Sequence, residues 1–274
     1  MGNPKKRKPW IAFLLSCATP GLGQLYNGQW KKAMVLWIIG SLIVIGPPLL
    51  GVYQKFYGFV LWIVFLIGFF IFVLLDARKT AIKLQEMTPR PYNKWYVYLA
   101  LFLTNLFLIQ PLISFVVRSN LRAYRIPASS MEPALIVGDH FIASMGYYKS
   151  KRPERGDVVV FLNPKDPSKD LVRRVIGLEG EKVEIIQNKI YVNDKLINDP
   201  WGSFERKELS GYLSFLENFG PVVVPTGSVF VLGDNRHNNQ DSRFWGFVDL
   251  HTVKGKALYL YWAKDKGRIG TQVE

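Results

Sequence analysis

Apolar and polar positions divide this chain into two parts of different texture. In the first part, residues 33–54, 57–75 and 95–117 form three apolar stretches without acidic residues or a basic residue inside them. Each is long enough to cross about 30 Å of hydrocarbon as a helix. Uncharged runs of this length predict membrane spans rather than buried core helices. Past Val117 the pattern changes to short β-branched and aromatic runs broken by Gly, Pro, Asn and Asp, which predicts an all-β domain. Candidate strands cover residues 157–161, 171–176, 182–186, 189–192, 222–224, 228–232 and 256–262, whereas 198–220 is polar, aromatic and aperiodic and reads as an excursion from the sheet.

The first residues need separate treatment. Residues 10–18 follow a basic cluster, as a signal-peptide core does, and Leu14-Leu15-Ser16-Cys17 hints at a lipoprotein cleavage box. The run is short, however, and Pro20-Gly21-Leu22-Gly23 followed by Tyr26-Asn27-Gly28 reads as a turn at a membrane surface. An uncleaved interfacial or re-entrant segment over about 10–28 is the favoured expectation.

Charge then orients the spans. The 274 residues carry 35 Lys and Arg against 21 Asp and Glu, a net charge of +14. That balance would suggest nucleic acid in a soluble protein. Here much of it flanks the apolar stretches: Lys5, Lys6, Arg7, Lys8, Lys31 and Lys32 precede the first, and Arg78, Lys79, Lys83, Arg90 and Lys94 separate the second from the third. The loop between the first two has only Lys55. The positive-inside rule puts the N-terminus and the second loop in the cytoplasm and everything after Val117 outside. The expected organisation is a membrane anchor over 1–117 and an exported domain over 118–274, with no nucleic-acid partner. Cys17 is the only cysteine, so the exported domain has no disulfide and depends on its core.

Candidate chemistry starts at Ile126-Pro127-Ala128-Ser129-Ser130-Met131-Glu132-Pro133-Ala134-Leu135, just beyond the third stretch. Alone, a serine between prolines is an ordinary turn residue. It is followed by Arg155-Gly156-Asp157-Val158-Val159-Val160-Phe161, by Val172-Arg173-Arg174-Val175-Ile176-Gly177-Leu178-Glu179-Gly180-Glu181, and by Gly233-Asp234-Asn235-Arg236-His237-Asn238-Asn239-Gln240-Asp241-Ser242-Arg243. These four segments, in this order, resemble the boxes of type I signal peptidases over about residues 96–262.

The resemblance implies a serine and lysine endopeptidase that removes signal peptides. Its nucleophile is Ser130, whose backbone N–H helps form the oxyanion hole. Ala128, Ser129, Asn239, Asp241, Ser242 and Arg243 fall at oxyanion or supporting positions, with Asp234 and Arg236 as structural turn residues. Ile126, Met131 and Pro133 are expected to line the substrate groove. Phe244, Trp245 and Phe247 fit either the groove or a plain core. Signal peptides, lipid and the secretion machinery are the expected partners, with neither cofactor nor metal: neither a metal-ligand spacing nor a phosphate-binding glycine loop is evident.

Several positions depart from the family pattern. Arg173 stands where the general-base lysine is expected, Ala128 where a hydroxyl is frequent, Asn239 where a serine usually contacts the lysine, and His237 in place of an aspartate. An arginine is expected to stay charged in a protein and to offer no lone pair, so it is not expected to act as that base. One expectation is an active peptidase with another base, His237 being the candidate ahead of His140 and His251, or with water or hydroxide in that role. The other is a silenced relative that binds signal peptides or partner subunits. In it Arg173 pairs with Asp241 or with a substrate carbonyl.

Overall fold

A computed structural model describes residues 6–84, 86–204, 216–237 and 240–273. The chain folds as two compact units, residues 1–119 and 120–274.

The first unit is helical: α1 (Pro9–Ala18), α2 (Leu22–Tyr26), α3 (Trp30–Leu49), α4 (Phe56–Lys83), α5 (Trp95–Thr104) and α6 (Gln110–Asn120). A π-helical turn, Asn105–Ile109, joins the last two into one rod. Three helices are long and apolar enough to cross a membrane: Trp30–Leu49, Phe56–Lys83 and Trp95–Asn120. The first stops five residues before the expected end. Pro47 and Pro48 lack the N–H that would bond the preceding turn, and Gly51 turns left-handed at φ 68°. Arg78, Lys79 and Lys83, expected in a loop, instead lie in the last turns of α4. A charge does not end a helix whose backbone bonds remain internal.

Residues 10–28 are two helices around a tight turn at Pro20-Gly21. They dock through the side of α2 on α4: the Gln24 amide donates to the Val73 carbonyl (2.9 Å) and Asn27 to that of Ala77 (2.8 Å). Lys32 pairs with Asp76 at 2.6 Å, and Gln24 donates to the same carboxylate. Gly23 lets α2 pack closely against α1, because a Cβ there would lie 2.2 Å from the Ala12 carbonyl oxygen.

The second unit is antiparallel β. One seven-stranded sheet runs β1 (Leu121–Arg125), β2 (His140–Met145), β11 (Val253–Trp262), β3 (Val158–Asn163), β4 (Asp166–Gly177), β9 (Ser228–Leu232) and β10 (Val248–Asp249). A four-stranded sheet runs β7 (Lys195–Leu196), β6 (Lys189–Val192), β5 (Lys182–Ile186) and β8 (Phe219–Val223). The hairpin turns at Gln187-Asn188 and Asn193-Asp194 place all four residues at positive φ, the backbone that two-residue connections between twisted strands require. One core packs Met131, Leu135, Phe141, Val160 and Leu260 together; two others gather Ile176, Val183 and Phe230, and Val159, Phe161 and Val231. Of the segment expected to be an excursion, 198–220, residues 205–215 lie outside the described residues, while its last two residues begin β8.

Candidate active site

Ser130 sits in a 3-10 turn, Ser129–Met131, ten residues after α6 ends. The Met131 side chain, 1% exposed, anchors that turn in the core, and the Asn235 N–H donates to the Ser130 carbonyl at 3.3 Å.

Opposite is Arg173 of β4, in register with Val159 of β3. It is 7% exposed, and its Nη1 donates to Ser130 Oγ at 3.1 Å and to the Val172 carbonyl at 2.7 Å. Nε (3.1 Å) and Nη2 (2.8 Å) both donate to the Gln240 carbonyl. The Trp245 ring lies 5.8 Å from the guanidinium carbon. Among the described residues, Arg173 is the only side chain that hydrogen-bonds the Ser130 hydroxyl. Burial pushes its pKa down to about 10, against the pull of the Asp241 and Asp234 carboxylates.

Three neighbouring arginines brace the site. Arg174, next along β4, is fully buried and donates to both oxygens of Asp234 (2.8 and 2.7 Å) and to the Gly156 carbonyl (2.7 Å), with Trp201 against its face. Arg236 grips Asp199 with Nη1 and Nη2 and bonds the Gly233 carbonyl at 3.1 Å. Arg243 holds Asp241 through Nε (2.9 Å) and Nη2 (2.7 Å) and donates to the carbonyls of Leu216 and Arg236. Asp241 also caps the short helix α7 (Ser242–Trp245) by accepting the Arg243 N–H, and the Ser242 hydroxyl accepts the Val231 N–H at 2.9 Å. Asp234→Ala strands a buried guanidinium. It is expected to cost about 3–5 kcal/mol, read as a lower midpoint in thermal unfolding of the full chain followed by tryptophan fluorescence. An unchanged midpoint would remove this pair from the stability account.

The geometry sorts the sequence-based candidates. Ser130 and Arg173 come together, and Asp241, Ser242 and Arg243 hold the adjoining loop. Ser129 flanks Ser130, and Ala128, exposed, offers no hydroxyl. Asn239 lies outside the described residues. Two of the three groove residues are corrected: Ile126 (5% exposed) and Met131 are core side chains, because the turn that displays Ser130 needs apolar anchors; Pro133 is exposed. Trp245 and Phe247 pack on cores, and Phe244 is 37% exposed. Arg173 bonds the Gln240 carbonyl and not the Asp241 carboxylate, whose oxygens Arg243 occupies. Asp234 and Arg236 do more than shape a turn, since each holds a buried ion pair. His237 packs on Phe204, with ring centroids 5.4 Å apart, and lies 3.8 Å from Glu217. His140 lies against Tyr261 and Trp262 on β11, and the His251 backbone N–H donates to Asp249 beyond β10.

Three participants escape sequence reasoning: the Gln240 carbonyl, Asp199 and Trp201. A carbonyl has no residue-type signal, and Asp199 is 37 positions from Arg236.

The β unit thus holds one serine hydroxyl against a buried cation on an antiparallel β scaffold. The chain belongs to the signal peptidase family, peptidase S26, whose sequence pattern matches residues 94–262. It is 34% identical over 192 residues to a probable signal peptidase I-2 of Synechocystis sp., covering 68% of this chain and 80% of that one. It is 32% identical over 213 residues to a signal peptidase I of Aquifex aeolicus, covering 59% and 83%. To a signal peptidase IB of Staphylococcus aureus it is 33% identical over 178 residues, covering 62% and 88%.

Proposed function

We propose that the chain is a membrane-anchored serine endopeptidase that removes signal peptides from exported preproteins at the outer face of the cytoplasmic membrane, with Ser130 as nucleophile. The 3.1 Å contact between Ser130 Oγ and the cation of Arg173 carries this reading. A fixed positive charge there stabilises the serine alkoxide and the negative charge that develops when Oγ attacks a carbonyl. The Ser130 N–H is the donor for the oxyanion. The family relatives bear the name signal peptidase I, which supplies the substrate class.

Proton removal is the weak step. With its pKa near 10, Arg173 is neutral in roughly one molecule in a thousand at pH 7, and only the neutral form accepts a proton. As pH rises toward 10 the neutral fraction grows about tenfold per unit. Preprotein cleavage by the protein in detergent is therefore expected to climb log-linearly from pH 7 to about 10. Cleavage that does not rise with pH between 7 and 10 would contradict Arg173 as the base.

The direction of the hydrogen bond favours a second reading, in which the chain binds signal peptides without cutting them. Arg173 donates to Ser130 Oγ, whereas a base must accept. Absence of cleavage at every pH, with signal-peptide binding retained, would establish it.

Three helices of spanning length and the basic residues flanking them support the membrane arrangement of this reading, N-terminus inside and β unit outside. Protease added to intact spheroplasts is expected to digest residues 120–274. Protection until lysis would refute that orientation.

A further inference from the structure

Four arginines are buried around this site: Arg173, Arg174, Arg236 and Arg243. Arg174, Arg236 and Arg243 each hold a carboxylate through two nitrogens, on Asp234, Asp199 and Asp241 respectively. Arg173 does not. Its acceptors are two carbonyl oxygens and a hydroxyl, all neutral, and among the described residues no carboxylate pairs with it. Burying a cation without an anion is unfavourable, and proteins ordinarily match the two. The Asp241 and Asp234 carboxylates act on Arg173 only from beyond direct contact, and the guanidinium faces Ser130.

We infer that Arg173 makes the Ser130 pocket a binding site for the free C-terminal carboxylate of a peptide. The inference rests on the proposed function in one respect, that a peptide lies across Ser130. A scissile carbonyl must approach Oγ to within about 3 Å. The carboxylate of the N-terminal fragment occupies the same place after cleavage, within reach of the nitrogen that already contacts Oγ. A neutral lysine there would offer such a carboxylate no charge. A guanidinium that is charged at pH 7 offers a charge-assisted hydrogen bond, so the released signal peptide is retained as a ligand.

The test uses wild-type full-length protein in detergent at pH 7. Two fluorescent signal peptides, each ending at the last residue before the cleavage site, carry a free carboxylate or a carboxamide. Anisotropy titration is expected to give the acid a Kd at least about tenfold lower than the amide. Arg173→Gln is expected to bring the ratio near one. Equal affinities on wild type overturn the inference without recourse to any variant, so a misfolded Arg173→Gln cannot shield it. A preference that persists in a folded Arg173→Gln overturns it too. Retained preference without cleavage would remove the endopeptidase reading and leave this site standing. Cleavage with a ratio of one would do the reverse.

Discussion

Replacing Ser130 with alanine is expected to lower preprotein cleavage by about a thousandfold or more, because nothing then forms the acyl bond and only oriented binding remains. The fold should survive. The turn is anchored by Met131 in the core and by the Asn235 bond to the Ser130 carbonyl, neither of which involves the hydroxyl. What Ser130→Ala does remove is one acceptor from Arg173, whose bonds to Gln240 and Val172 hold it in place. Cleavage products followed by gel shift and amino-terminal sequencing check the expectation. Undiminished cleavage by Ser130→Ala would eliminate Ser130 as nucleophile.

Arg173→Lys is the change expected to act in the opposite direction, raising cleavage at pH 7 by about a hundredfold. The reasoning compares two bases in one pocket. Burial lowers the pKa of Arg173 to about 10 and will penalise a lysine ammonium in the same way. Lysine starts from a lower value, so far more of it is neutral near pH 7 and can take the serine proton. The shorter side chain also surrenders the paired bonds to the Gln240 carbonyl, which sets a limit on the gain. Time courses at pH 7 for both forms decide the matter. A lysine variant no faster than wild type would mean that the arginine is not what restrains the chemistry.

Much of the β unit was legible because its strands are short hairpin elements with local signals. Lys182–Ile186, Lys189–Val192 and Ser228–Leu232 match their expected bounds. Leu121–Arg125 and His140–Met145 did not announce themselves. The first is a polar edge strand with three exposed residues, and the second is buried at four successive positions, so neither alternates. The groove expectation failed for a related reason: an apolar residue beside a nucleophile reads the same whether it faces substrate or core. Only packing distinguishes the two, and it puts Ile126 and Met131 inside.

The sequence by itself determined the three long apolar helices, the β texture that follows them, and the place of Ser130 and Arg173 in the order of the family's boxes. These depend on periodicity, length and residue type within short windows, which a linear reading contains. The tertiary structure alone decided which acid each arginine meets. Ser130 and Arg173 are 43 residues apart, Arg174 and Asp234 60, and Arg236 and Asp199 37. Ion pairing depends on distance in space and on competition for a limited set of carboxylates. That competition leaves Arg173, among the described residues, with neutral partners only.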